Sequence, residues 1–244
     1  FCVAGCGDKR TTDKAHVHQD AVSKDKDHPQ PRDGATPLPP TAKDAAAKDG
    51  AATKDGEPTK DDAISLFDGK TLGKWKSTNF GGEGAVEVKD GQLIINSGSP
   101  LSGVTWQGEP PAKMNYEISL EAQRVEGSDF FLGLTVPVND TAISLILGGW
   151  GGSTVGLSSI DGGDAANNEY TTYETFKKKQ WYKVKMVVKP KQVLVFIDGK
   201  QVIDANIEDR KIETRIEVDL SKPLGIATFS TTGAFRNLQM KKLK

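Results

Sequence analysis

The sequence predicts an all-β sandwich preceded by a disordered N-terminal tail. Three observations carry that expectation. After residue 63 the apolar residues alternate with polar ones at a period of two, the signature of strands with one buried face. Asp-Gly pairs separate such runs, as hairpin turns require. Between Gly7 and Asp62 the only large aliphatic residues are Val17, Val22 and Leu38, and no aromatic occurs. Such a stretch buries too little apolar surface to offset the entropy of ordering it. The division is therefore 1–6, 7–62 and 63–244, with one domain in the last.

The clearest strand runs from Met114 to Gln123, where Met114, Tyr116, Ile118, Leu120 and Ala122 alternate with polar neighbours. Ala85–Lys89 and Gln92–Asn96 flank Asp90-Gly91, and Gln192–Ile197 and Gln201–Asp204 flank Asp198-Gly199. Further strands are expected at Phe130–Val136, Ala142–Leu147, Thr154–Ile160, Tyr182–Val188, Arg215–Leu220, Leu224–Ser230 and Phe235–Lys241. Helical turns are expected only in Ile207–Ile212 or Asp164–Glu169. Many short strands without crossover helices exclude a parallel α/β architecture.

Net charge is −1, with acids and bases interspersed. A nucleic-acid partner needs a basic face, and none is visible. No apolar run is long enough to span a bilayer. Both cysteines, Cys2 and Cys6, lie in the first six residues, so the domain is expected to hold no disulfide or cysteine metal ligand. Val3-Ala4-Gly5-Cys6 resembles a bacterial lipobox, so residues 1–6 read as a signal-peptide remnant with Cys6 as the lipidated residue. The alternative is an ordinary secretory leader with unpaired cysteines. The expected location is extracytoplasmic, periplasmic or cell-surface, with the membrane engaged through the anchor alone. The Lys-Asp, Pro and Ala-rich 7–62 linker would then hold the domain about 40 Å from it. His16, His18 and His28, the only histidines, read as solvated tail residues.

The ends of the domain resemble the 3-keto-disaccharide hydrolase family, also described as 3-keto-glucoside lyases. Ile64-Ser-Leu-Phe-Asp-Gly-Lys-Thr-Leu-Gly-Lys-Trp75 is similar to its opening motif, and Pro223-Leu-Gly-Ile226 with Phe235-Arg-Asn-Leu238 to its last two strands. Trp181-Tyr-Lys-Val184 and Phe196-Ile-Asp-Gly-Lys200 sit between them at matching spacing. The resemblance implies a concanavalin A-like jelly roll and a glycan or small sugar as partner. The chain departs from the family at Gly127–Gly133 and at Thr228–Gly233, where members often carry a histidine.

A 3-keto sugar has an acidic proton at C2, so a lyase of this kind needs a base near that carbon and a group that stabilises the enolate. Without histidine in the domain, the base must be a carboxylate, Lys or Tyr. Glu169, Asp129 and Glu121 are the catalytic candidates. Glu121, with Glu117, also fits the wet face of a strand. The segment from Gly148 to Glu169 combines an aromatic, glycines, amides and acids, the means by which proteins stack and hydrogen-bond sugars. Trp150, Asn167 and Asn168 are therefore candidate sugar contacts, with Arg124 and Arg236 beside them. A plain loop of turn formers has the same composition. No cofactor is expected. The Asp and Asn density offers oxygen ligands for Ca²⁺, but not at EF-hand spacing. The competing functional class is a non-catalytic adhesion or assembly module.

Overall fold

The computed structural model describes residues 63–244. The lipobox with Cys6, the whole 7–62 linker and the three histidines lie outside the described residues. In chain order the strands begin with β1 (Ala63–Ser65), β2 (Trp75–Ser77), β3 (Val86–Lys89), β4 (Gln92–Ile95) and β5 (Leu101–Trp106). They continue with β6 (Tyr116–Gly127), β7 (Leu132–Val138), β8 (Thr141–Gly149), β9 (Thr154–Ser158) and β10 (Thr172–Tyr173). The last are β11 (Trp181–Lys189), β12 (Gln192–Ile197), β13 (Lys200–Asn206), β14 (Gly225–Phe229) and β15 (Thr231–Lys242).

They form two antiparallel sheets. The larger runs β13-β12-β11-β6-β15-β4-β3, with β1 added on β15, and the smaller runs β10-β9-β8-β7-β14-β5-β2. Their inner faces share one core. On β6 the alternation turns Tyr116, Ile118, Leu120 and Ala122 inward, and the Tyr116 hydroxyl is satisfied by Pro137 O at 2.6 Å. The Asp90-Gly91 and Asp198-Gly199 turns take positive φ at both residues, as a two-residue hairpin of the right twist requires.

The opening motif is a structural clasp. Leu66, Phe67 and Trp75 are buried, and Trp75 Nε1 donates to Leu66 O at 2.8 Å. Asp68 Oδ1 accepts the backbone N–H groups of Lys70 and Thr71, both at 2.8 Å. Trp75 and Trp106 meet edge to face, with ring centroids 5.2 Å apart.

Strands β7, β8 and β9 are buried on both faces. Two connections roof the outer face of their sheet. The Asp161–Tyr170 loop lies on Gly156, where a Cβ would come within 2.1 Å of Ala165 O. The Ile216–Ser221 segment lies on Gly225, where a Cβ would come within 2.5 Å of Ser221 O. A small apolar cluster of Leu101, Phe130, Ile146, Ala165, Val218 and Ala227 forms beneath them.

The expected strand at Arg215–Leu220 is instead a 3-10 helix over Ile216–Ser221. Its period-two spacing places Ile216, Val218 and Leu220 on one strand face, yet only Val218 is buried. Asp164–Glu169 and Ile207–Ile212 form turns and bends rather than helix, and Ile212 bridges Ile160. Strand β5 had no sequence signal because Ser102 and Gly103 interrupt its alternation.

Candidate functional site

The site is assembled at the end of β6, where the alternation turns Arg124 inward. Its Nη2 donates to Asp129 O at 3.1 Å, Gly148 O at 3.1 Å and Gly152 O at 3.0 Å, and Nη1 to Phe176 O at 3.4 Å. The guanidinium lies 5.1 Å from the centroid of Phe131. Burial lowers its pKa, while the Asp129 charge acts in the opposite sense. Arg124 thus ties together two loops that no ladder joins, one carrying Asp129 and the other Trp150. Its side chain stands behind the cleft wall rather than in it.

Those loops border a cleft of about 320 Å³ on the outer face of the seven-stranded sheet. That is at the lower end of the range for small-ligand sites. Leu101, Phe130, Ile146, Val218 and Phe229 make its walls apolar. Asp129, Trp150, Arg215 and Glu217 supply its polar and aromatic groups. Asp129 Oδ1 accepts the Phe130 N–H at 2.7 Å, and Oδ2 accepts the Gly151 N–H at 3.1 Å. No side-chain ion pair to Asp129 occurs among the described residues. Trp150 sits at φ +48 in a Gly-rich turn and remains 46 % exposed, with Arg215 5.9 Å from its ring centroid. Arg215 bonds Asp164 Oδ2 at 2.8 Å through Nη1 and Glu217 Oε1 at 2.7 Å through Nη2. The Arg215 hydrogen bond keeps the Glu217 carboxyl below its usual range.

The remaining sequence candidates fall elsewhere. Glu169 is exposed and pairs with Arg210 at 2.7 Å, which lowers its pKa, and Arg210 also binds Asp161. Asn168 is a loop knot, its amide donating to Leu157 O at 2.7 Å and Asp164 O at 2.8 Å. Asn167 is exposed and donates to Asp164 Oδ1 at 2.8 Å. Among the described residues no group of three His, Cys, Asp or Glu side chains could hold a metal ion.

Glu121 and Arg236 lie on the outer face of the other sheet. A bulge with Asn237 at φ +55 places Arg236 and Asn237 together beside Glu121. Arg236 Nη2 binds Glu121 Oε2 at 2.7 Å, and Asn237 Nδ2 binds Oε1 at 2.9 Å. Burial pushes the Glu121 carboxyl up, but these partners outweigh it and the net shift is downward. Arg236 in turn covers Trp181, 4.1 Å from its ring centroid. The Phe235-Arg-Asn-Leu238 stretch therefore encodes a bulge whose two apolar residues are buried and whose two polar ones grip Glu121.

Of the candidates, Asp129 and Trp150 meet at the cleft, with Arg124 behind them. Arg215 and Glu217 went unnoticed in the sequence. Their i, i+2 spacing placed them on one face of an expected strand, and only the 3-10 turn shows them bordering the cleft.

Residues 62–241 match the 3-keto-alpha-glucoside-1,2-lyase-like domain. The chain belongs to this family. The lyase-like domain is thus glycan-related by descent, and its opening and closing motifs are the clasp and the bulge described above. Among solved structures it resembles a candidate glycosyl hydrolase of Parabacteroides distasonis at 14 % identity and a TM-score of 0.48, covering 75 % of this chain and 94 % of that one. The Bacillus subtilis carbohydrate-binding module CBM66 aligns at 11 % identity and a TM-score of 0.45, covering 69 % and 96 %. The Crh5 transglycosylase in complex with NAG aligns at 10 % identity and a TM-score of 0.50, covering 74 % and 83 %. At these identities the likeness concerns the fold alone. The chain matches no curated protein.

Proposed function

We propose that the lyase-like domain binds a glucoside in the cleft between Trp150 and Asp129 and acts on its 3-keto form. The observation that carries this is the half-exposed Trp150 ring beside a carboxylate whose only described partners are two backbone N–H groups. An exposed Trp face suits the C–H surface of a sugar ring, and a carboxylate suits its hydroxyls. Asp129 would take the C2 proton of the 3-keto sugar to leave an enolate on the C3 oxygen, whose collapse forms a C1–C2 double bond as the bond from C1 to the leaving oxygen breaks. The proton then returns to the departing oxygen. Arg215 would stabilise the enolate oxygen through its charge. The family assignment supports the substrate class. Cys6 as a lipid anchor, and with it an extracytoplasmic location, is part of the same proposal and rests on the lipobox-like residues.

The test is product release from methyl 3-keto-α-glucoside by the full chain and by Asp129→Asn. Turnover in the first and its loss in the second is expected, and equal turnover in both would sink the catalytic role. A second reading, a non-catalytic glycan-binding module, is favoured by the pairing of Glu217 with Arg215, which leaves the cleft a single unpaired acid. Saturable binding without turnover would select it.

A further inference from the structure

The outer face of the seven-stranded sheet carries one row of hydroxyl and glycine residues. Thr105, Gly225, Thr135, Ser144 and Ser158 are successive partners across β5, β14, β7, β8 and β9. Alternation turns them away from the main core, because their strand neighbours, Leu134 and Leu157 among them, point into it. The row is largely hydrogen-bonded. Thr105 Oγ1 donates to Leu220 O at 2.8 Å, and the Thr135 and Ser144 hydroxyls bond each other at 2.8 Å. Ser158 ends the row and differs from it. Ser158 lines the cleft, is 1 % exposed, and its Oγ has no hydrogen-bond partner among the described residues.

A buried hydroxyl left unpaired is unfavourable, and such groups are rare in native proteins. The cleft walls of Phe130, Ile146 and Phe229 cannot pair it. We propose that Ser158 is a ligand-contacting residue whose Oγ hydrogen-bonds one ring oxygen substituent of a glucoside seated against Trp150. This rests on the cleft being the sugar site. The residue sets specificity for an oxygen at one ring position, because a cleft hydroxyl with no partner among the described residues is free to bond that oxygen in the complex.

The test uses the full chain, Ser158→Ala and Trp150→Ala, titrated calorimetrically with the unreactive methyl α-glucoside and its single-deoxy analogues. For Ser158→Ala the affinity is expected to fall about three- to tenfold. One deoxy analogue should bind wild type and Ser158→Ala equally, since it lacks the contacting oxygen. The melting temperature of free Ser158→Ala should be unchanged or higher. Unchanged affinity, an equal loss for every analogue, or a lower melting temperature each overturns the assignment. Weakened binding in Trp150→Ala alone leaves the cleft reading standing and removes Ser158 from it. Absence of binding to the wild-type chain removes both.

Discussion

Asp129 Oδ2 accepts the backbone N–H of Gly151 at 3.1 Å, which fastens the cleft carboxylate to the turn that presents Trp150. The candidate base and the candidate stacking platform are therefore parts of one assembly. Asp129→Asn keeps an acceptor oxygen for that N–H but removes the base. Turnover of a 3-keto-glucoside is expected to fall by about 100-fold or more, with circular dichroism unchanged. Asp129→Ala also frees the turn, so its affinity for the unreactive methyl α-glucoside should fall further than that of Asp129→Asn.

Arg124 holds four backbone carbonyls from inside the sandwich, those of Asp129, Gly152 and Phe176 in loops and that of Gly148 near the end of β8. Arg124→Met keeps much of the stem's packing but leaves those carbonyls without a donor. The expected loss is about 3 kcal/mol or more, seen as a melting temperature lower by roughly 6–12 °C. A change of less than 2 °C would show that water replaces the guanidinium without loss, about the effect of under 1 kcal/mol.

Glu121 offers a pH test away from the cleft. Its carboxyl lies below the ordinary 4.5 in the folded protein. A lowered folded pKa means that the unfolded chain binds the proton first as pH falls. The stabilisation is thus present above about 4.5 and lost as pH drops through the lower folded value. Glu121→Gln should reduce stability at neutral pH by about 0.5–1 kcal/mol and flatten the acid limb of urea unfolding below pH 4.5. Glucoside affinity should be unchanged, because this pair lies on the other sheet.

Trp75 separates motif from function. It is 3 % exposed and closes the clasp through Leu66 O. Trp75→Ala should cost about 3–5 kcal/mol, read by urea unfolding. Below the transition the remaining folded protein should bind glucoside with wild-type affinity. A large affinity loss in fully folded Trp75→Ala would place the opening motif at the site.

The sandwich was legible because burial on one face writes itself into the spacing. Tyr116, Ile118, Leu120 and Ala122 declare β6, and Asp90-Gly91 and Asp198-Gly199 declare their turns. The cleft was legible only in part. Trp150 stood out as an aromatic among glycines, and Asp129 as an acid beside a strand. Arg215 and Glu217 were hidden because six alternating residues in a 3-10 turn read like a strand. Arg124, read as a sugar contact, follows the inward phase of β6, which continues the same alternation. Glu121 and Arg236 reach the opposite sheet because sequence places a residue on a strand face without saying which side of the sandwich a ligand uses. The residues that mark the family most clearly, Asp68, Trp75 and Phe235 to Leu238, serve the clasp and the bulge. A motif can therefore identify a fold while saying nothing of its chemistry.

The most direct measurement is a crystal structure of the full chain carrying Asp129→Asn, soaked with methyl 3-keto-α-glucoside. The sugar is expected in the cleft, with one ring face on Trp150 and C2 within reach of the residue 129 side chain. A sugar bound instead over Trp181 and Glu121, on the outer face of the eight-stranded sheet, would contradict the account.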